Sequence, residues 1–143
     1  MLYIASDHGG FEMKGKVINH LKKKKIKFED LGAYSFDSED AFPVYAKTLV
    51  AKVAQSKSDF GILICGSGIG MSICANRNPN IRAALCKDVT TAELARQHND
   101  ANVLVIAGRT TSVVTSNRMV DKFLSTKAFG GKYAERMKMI DED

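Results

Sequence analysis

A cysteine followed by a glycine-rich turn is the part of the sequence with the clearest chemical potential. The segment ILICGSGIG, residues 62–70, runs through Cys65 into a turn with three glycines in five residues. Glycine lets a backbone approach a ligand closely, and a helix that starts after the turn directs N–H groups at one point. A thiol at the start of a helix has a lowered pKa, so a larger fraction of it is ionised to thiolate at neutral pH than in a free cysteine. A base beside such donors suits either attack on an acyl group or removal of a proton next to a carbonyl.

Further polar side chains follow the other apolar segments of the chain. Asp7 and His8 come directly after the first such segment, and Arg109 follows the last. His98 and Asn99 close a helical segment just before the last apolar run. In open parallel sheets, ligands bind outside the carboxyl ends of the strands. We therefore expect these groups to gather with the thiol in one site.

Two basic side chains near the end of the chain complete the candidate set. Lys132 and Arg136 are four residues apart and so share one face of a helix. With Arg109 they could clamp a phosphate, to which a guanidinium offers two parallel hydrogen bonds. Taken alone, the pair on the helix is more typical of solvated surface charge. His20, beside a lysine-rich helix end, is interpreted as a surface residue.

The cysteine and histidine content favours neither a disulfide framework nor a metal centre. The three cysteines, at positions 65, 74 and 86, form no C-x-x-C motif, and their number is odd. Cys74 and Cys86 are interpreted as small buried residues. No three or four ligands have the spacing of a zinc site, so we expect no metal and no cofactor.

Composition indicates one globular domain. The chain has 143 residues, 45% of them hydrophobic and 26% charged, and its net charge of +5 is weak evidence for a nucleic-acid partner. We expect a single domain over residues 1–143. The start of the sequence does not resemble a secretory leader, and no apolar run reaches about 18 residues. We therefore expect a cytoplasmic protein with free thiols.

The hydrophobic pattern alternates between strands and helices. Short apolar runs bounded by turns predict five strands, and segments with helical spacing predict the connecting helices. Such alternation is typical of βαβ units, so we predict an α/β fold, a Rossmann-like three-layer α/β/α sandwich around a five-stranded parallel sheet. The predicted strands are residues 1–7, 26–32, 59–65, 81–86 and 102–108, and the predicted helices are residues 11–25, 40–57, 68–77, 88–100, 110–126 and 131–140.

Five segments occur in a combination that is highly specific. They are ASDHGGF, ILICGSGIGMSICANR, IRAALC, ARQHNDANVL and GGKYAERM, and together they resemble the ribose-5-phosphate isomerase B family, also called the RpiB/LacAB sugar-phosphate isomerases. The resemblance implies a metal-free aldose–ketose isomerase that interconverts ribose 5-phosphate and ribulose 5-phosphate. It also implies a homodimer or homotetramer with active sites between subunits, toward which the C-terminal helix packs. Neither nucleic acid nor membrane is expected as a partner.

The resemblance further implies a role for each candidate residue. Cys65 would move a proton between C2 and C1 of the sugar, and Ser67 would hold the enediolate. His98, supplied by the partner subunit, would open the furanose ring, while Asn99 would hold the oxygen on C1 and Asp7 would bind sugar hydroxyls. The enediolate would also meet the backbone N–H groups of Gly66, Gly68, Ile69 and Gly70, and the phosphate would meet His8, Arg109, Lys132 and Arg136.

Three positions depart from the residues that are usual in the family. Phe42 stands where a tyrosine often precedes the helix proline, so a hydroxyl contact is lost there. Lys132 stands where arginine is common, which replaces a bidentate fork with a point charge. Ser67 stands where some members carry threonine. None of these changes removes the base or the ring-opening histidine.

Three other functions stay open. One is the same reaction on a six-carbon sugar phosphate, such as allose 6-phosphate or galactose 6-phosphate. Because Cys65 and His98 occur on one chain, a self-sufficient homo-oligomer is favoured over the galactose type, which needs two different subunits. Another is a non-catalytic sugar-phosphate binding protein. A nucleotide-binding module is disfavoured, since the glycines lack the G-x-G-x-x-G spacing and no acidic residue closes the second strand in the way usual for nucleotide binding.

Overall fold

The computed structural model describes residues 1–142 and contains one parallel sheet. Its strands are β1 (Leu2–Ser6), β2 (Phe28–Asp30), β3 (Phe60–Cys65), β4 (Ala83–Leu85) and β5 (Val103–Ala107). They lie in the order β2-β1-β3-β5-β4, and every neighbouring pair is parallel. The predicted α/β class with a five-stranded parallel sheet is confirmed.

Helices cover both faces of this sheet. Within the described residues they are α1 (Phe11–Lys23), α2 (Phe42–Val53), α3 (Ile69–Asn76), α4 (Val89–Asn99), α5 (Val113–Ser125) and α6 (Lys132–Asp141), with a 3-10 turn at His8–Gly10. None of these helices combines the length and the apolar content needed to cross a membrane.

The central strand β3 contributes side chains to two separate cores. Ile62 and Ile64 pack with α1, α4 and α5, whereas Leu63 and Cys65 pack with α2 and α3. This division follows from the strand geometry, in which successive side chains point to opposite faces. A strand that is buried on both faces also explains the continuous apolar run in the sequence. Cys65 therefore ends β3 on the α2–α3 side of the sheet.

The path of the chain opens a crevice between β1 and β3. From β1 the chain moves to β2 on one side, and then it crosses to β3 on the other side of β1. The loops that leave β1 and β3 thus diverge, which is the usual place for a ligand in an open parallel sheet.

Two polar side chains make contacts within the chain that the sequence does not predict. Asp30 closes β2, and its carboxylate accepts hydrogen bonds from Lys14 Nζ at 2.8 Å and from the N–H of Gly32 at 2.9 Å. His20 is not a plain surface residue, because its side chain is 16% exposed and Nε2 lies 2.7 Å from Asp121 Oδ1. This contact joins α1 to α5, and an apolar-pattern argument gives no information about such a polar pair.

Candidate active site

The loops after β1, β3 and β5 meet at the carboxyl edge of the sheet. The N–H of Arg109 donates to the carbonyl oxygen of Gly66 at 3.1 Å, which joins the loops after β5 and β3. A Cβ atom on Gly10 would overlap the carbonyl oxygen of Ile64, so glycine is required where the first loop crosses β3. Close backbone contact thus holds the three loops in one cluster.

The thiol of Cys65 lies beneath the start of α3. Its side chain is buried, and Sγ accepts a hydrogen bond from the N–H of Gly68 at 3.2 Å. Gly68 has φ +75°, a backbone conformation that favours glycine, and it is the residue from which α3 begins. A donor that faces sulfur interacts more strongly with a thiolate than with a neutral thiol.

The backbone N–H groups of this turn differ in whether they already have a hydrogen-bond acceptor in the protein. The N–H of Ile69 donates to Ser67 Oγ at 3.2 Å, so this amide, like that of Gly68, already has a protein acceptor. The first turn of a helix leaves further N–H groups without helical acceptors, and Gly70 belongs to that turn. A Cβ on Gly70 would come within 2.7 Å of Phe42 Cζ. The Phe42 ring, which has no hydroxyl, therefore lies directly beside Gly70.

A buried acidic pair accompanies the loop after β1. Asp7 is buried and accepts the N–H of Gly10 at 3.2 Å, which stabilises the 3-10 turn. Nδ1 of His8 lies 2.7 Å from Asp40 Oδ1, and the same oxygen accepts the backbone N–H of His8 at 3.1 Å. Sequence analysis missed Asp40. Its position just ahead of α2 is a possible signal, because carboxylates are favoured at helix N-termini.

Asp7, His8 and Asp40 form the one group of metal-ligand types in residues 1–142 whose donor atoms all lie within 4.8 Å of one another. Hydrogen bonding within the group accounts for its geometry, since Nδ1 of His8 faces Asp40 directly. Burial, and after it the charge of Asp40, raises the pKa of Tyr45 nearby. The Tyr45 hydroxyl therefore keeps its proton at neutral pH.

Arg109 brings a cation to the same edge of the sheet. A Cβ on Gly66 would come within 2.8 Å of Arg109 Nη1, so the guanidinium lies across the turn after β3. Arg109 and His8 line an open cleft of about 610 Å³, to which Lys16 and Phe36 also contribute. Two of the four residues expected to bind phosphate are thus neighbours.

His98 and Asn99 lie at the opposite, amino edge of the sheet. The helix that carries them, α4, ends close to Asn102, whose carbonyl oxygen accepts the N–H of Gly61 at the start of β3 at 2.9 Å. From Gly61 to Cys65 the strand advances about 13 Å, at roughly 3.3 Å per residue. The expectation that all polar groups gather beside the thiol is wrong within one chain, because a crossover helix returns to the edge where the next strand begins.

A second cluster surrounds His98 at this amino edge. Its ring stacks on Tyr133 with 4.7 Å between the centroids and 12° between the planes. Lys132 Nζ and Arg136 Cζ lie 5.4 and 5.8 Å from the centroid of the same tyrosine ring. Asn99 Nδ2 approaches Met137 Sδ of α6 at 3.8 Å. Tyr133 was missed in the sequence because an aromatic residue beside a basic pair is ordinary helix composition.

The candidate residues therefore fall into two separate clusters, which we call half-sites. The thiol half-site, at the carboxyl edge, consists of Asp7, His8, Cys65–Gly70 and Arg109. The histidine half-site, at the amino edge, consists of His98, Asn99, Lys132 and Arg136. The fold and the thiol half-site define a class of α/β protein in which a buried cysteine and an arginine flank a glycine-rich turn at the start of a helix.

Comparison with known proteins identifies the family within this class. The family model described as Ribose/Galactose Isomerase matches residues 2–140, and the chain belongs to this family. A crystal structure of ribose 5-phosphate isomerase B from Thermotoga maritima is 50% identical and superposes with a TM-score of 0.95, covering 99% of this chain and 97% of that one.

Two further relatives are similar over nearly the whole chain. The structure of ribose-5-phosphate isomerase B from Mycoplasma genitalium, with bound ribulose-5-phosphate, is 39% identical with a TM-score of 0.94, and covers 98% of this chain and 93% of that one. Ribose-5-phosphate isomerase B from Escherichia coli is 38% identical over 134 residues, which are 94% of this chain and 89% of the relative.

Proposed function

We propose that this protein is an aldose–ketose isomerase that interconverts ribose 5-phosphate and ribulose 5-phosphate through an enediolate. The observation that carries the proposal is the buried thiol of Cys65, which faces the N–H of Gly68 at the start of α3. The relative from Mycoplasma genitalium that binds ribulose-5-phosphate supports the choice of sugar, as does the name of the Escherichia coli relative.

Cys65 acts as the base in the proton transfer. Its thiolate removes the proton from C2, the electron pair of that bond forms the C1–C2 double bond, and the carbonyl pair moves onto the oxygen on C1. The thiol then protonates C1 while the C2 hydroxyl loses its proton to the oxygen on C1, which forms the C2 carbonyl. Deuterium enters where the thiol proton exchanges with solvent before it is returned. Such a positioned base contributes about 10²–10⁴-fold to the rate. N–H groups of the turn and Ser67 stabilise the negative oxygen, and removal of one such donor costs about 10²–10³-fold in a measured case.

Ring opening is assigned to His98 of a second chain. Cys65 and His98 lie at opposite edges of one sheet, so a single chain cannot bring both to the same sugar. The imidazole accepts the proton of the C1 hydroxyl and delivers a proton to the ring oxygen, which breaks the bond between C1 and that oxygen. Asn99 then binds the oxygen on C1, and Asp7 binds sugar hydroxyls.

The phosphate is assigned to cations from both half-sites. His8 and Arg109 approach it from one chain, and Lys132 and Arg136 approach it from the next. A phosphate bound between two chains links substrate recognition to assembly. We further infer that the enzyme is cytoplasmic, because its three cysteines are unpaired and reduced thiols are typical of that compartment.

Exposed apolar side chains support a homodimer or a homotetramer. Ile69 and Ile73 are both 56% exposed and lie one turn apart on α3, and Leu85 on the neighbouring edge strand β4 is 42% exposed. On α6, Met139 and Ile140 are 72% and 60% exposed, although this helix also packs on α4 of its own chain. A second copy of the chain would bury such apolar surfaces. A two-fold axis would also pair the thiol half-site of each chain with the histidine half-site of the other, so that two complete sites form together.

The test is solvent deuterium exchange at C2 and C1 during turnover of ribose 5-phosphate, followed by NMR for the wild type and Cys65→Ala. We expect isomerisation with exchange in the wild type and loss of both in the variant. Turnover of allose 6-phosphate or galactose 6-phosphate with a higher kcat/KM would instead assign a six-carbon substrate. Binding of all three sugars without turnover would identify a sugar-phosphate binding protein.

A further inference from the structure

The carboxylate of Asp40 has no part in the mechanism above, although it contacts one of its residues directly. Oδ1 of Asp40 faces Nδ1 of His8 at 2.7 Å and accepts the backbone N–H of His8 at 3.1 Å. The Asp40 side chain is 7% exposed, and Oδ2 is buried without a hydrogen-bond partner among residues 1–142. Phe36 of the same loop meets the His8 ring edge-on at 6.2 Å. The loop before α2 thus holds the imidazole from two sides.

The hydrogen bonds to Asp40 determine which nitrogen of His8 carries a proton. An ionised carboxylate only accepts hydrogen bonds, so the nitrogen that faces it, Nδ1, is protonated. Nε2 is then an acceptor when the ring is neutral and a donor only when the ring is charged. Phosphate oxygens are acceptors. His8 can therefore hydrogen-bond a fully ionised phosphate through Nε2 only as a doubly protonated imidazolium.

Two carboxylates lie close to the His8 ring. Donor atoms of Asp7, His8 and Asp40 all lie within 4.8 Å of one another, and two carboxylates at such a distance disfavour each other unless a cation joins them. The other groups that face this place are the neutral hydroxyl of Tyr45 from α2, Glu12 and Lys16 from α1, and Arg109 after β5.

We propose that Asp40 is a positioning residue for His8. It fixes one proton on Nδ1 and supplies the countercharge with which Nε2 donates a hydrogen bond to the substrate phosphate. The proposal rests on the proposed function, which takes His8 as a phosphate ligand. Where the free ring is neutral, phosphate binding takes up one proton, which passes from solvent to Nε2.

The first experiment separates binding from turnover in Asp40→Asn, which preserves the shape of the side chain and removes its charge. The binding probe is ribitol 5-phosphate, which has no carbonyl group and cannot be isomerised. We expect its Kd to rise about tenfold, by analogy with metal-ligating histidines, for which loss of the hydrogen-bond partner of the ring costs about 10–100-fold in affinity or activity. The kcat for ribose 5-phosphate should change less than about twofold. Glu39→Gln, which removes the same charge from the adjacent exposed residue, should leave both values unchanged.

The second experiment observes the His8 ring by two-bond proton–nitrogen NMR, with His8→Gln to assign its signals. In the wild type we expect the Nδ1–H form when the ring is neutral, and protons on both nitrogens when ribitol 5-phosphate is bound. Asp40→Asn should retain less of the doubly protonated form in the complex. The protonation pattern of the two His8 nitrogens in the wild type tests the role of Asp40 even when Asp40→Asn fails to fold.

Three results would overturn the proposal. They are a neutral Nε2–H form in the free wild type, an unchanged Kd in a folded Asp40→Asn protein, and a loss confined to kcat. Failure of the proposed function is distinguishable from these results. A protein that turns over no sugar phosphate, but shows the expected Kd and NMR changes, retains Asp40 as the positioning residue of a phosphate site.

Discussion

The imidazole of His98 lies flat against the phenol ring of Tyr133, with 4.7 Å between the ring centroids. The same ring has Lys132 Nζ and Arg136 Cζ within 6 Å of its centroid, at 5.4 and 5.8 Å. One aromatic side chain thereby contacts three of the four residues of the histidine half-site. Its position on α6 links that short helix to the end of α4, where His98 lies.

We expect Tyr133→Leu to lower kcat/KM for ribose 5-phosphate while Tyr133→Phe retains it. An aromatic pair contributes about 0.5–1.5 kcal/mol, which corresponds to roughly 2–13-fold in rate. Tyr34→Leu, a change at an exposed tyrosine in the loop between β2 and α2, is the matched control and should have no effect. An equal loss in the phenylalanine variant would mean that the hydroxyl, and not the stacked ring, is the important group.

His98→Asn should impair the cyclic substrate selectively. We expect kcat/KM for ribose 5-phosphate to fall about 10²–10⁴-fold, because a positioned general acid–base is lost. The analogue 4-deoxyribose 5-phosphate lacks the hydroxyl that closes the furanose ring, so its kcat/KM should be nearly unchanged. A loss of equal size with the open-chain analogue would place His98 in the proton transfer between C2 and C1.

Mixing two inactive variants should restore activity. Cys65→Ala retains the histidine half-site and His98→Asn retains the thiol half-site, so a mixed dimer has one complete site. We expect about a quarter of the wild-type activity when the chains are unfolded together and refolded at equal amounts, since half of the dimers are then mixed and each has one of two sites. Mixed dimers, verified by mass spectrometry, without any recovered activity would show that the sites are not shared.

Two glycine-to-alanine changes should act in opposite directions. Gly10→Ala places a Cβ against the carbonyl oxygen of Ile64, so we expect the protein to be strongly destabilised or unfolded. Gly15→Ala lies in α1, where a Cβ would meet no atom within 4 Å, and should stabilise the fold by about 0.5–1 kcal/mol. Urea denaturation measures both, and a destabilised Gly15→Ala protein would contradict the open space seen at that position.

Cys86 should make the fold less stable at alkaline pH. Burial raises the pKa of its thiol from 9.0 to about 11. Between these values the unfolded chain has lost the proton that the folded chain keeps, so the free energy of unfolding falls as the pH rises through this range. The urea concentration at the unfolding midpoint, measured at pH 8, 9 and 10, should fall more steeply with pH for the wild type than for Cys86→Ala. An equal fall in both proteins would contradict a raised pKa of Cys86.

The fold and the thiol half-site follow from the sequence because local patterns encode both. An apolar run that ends in Cys65 and a glycine turn specifies a buried strand, its exit and the start of a helix within nine residues. Asp40 could not be assigned in this way, because its partner His8 lies 32 residues away and no periodicity links them. To predict the edge at which His98 lies, one must know the direction in which α4 runs relative to the sheet. Composition alone does not contain that information.

The separation of the two half-sites has a kinetic consequence. One chain carries both a thiol and an imidazole, but on the proposed mechanism a sugar meets the two groups only where two chains associate. Dilution below the dissociation constant of the dimer would then abolish turnover without altering any catalytic side chain. The rate then grows with the square of the protein concentration, so the abundance of the chain itself regulates flux through the reaction.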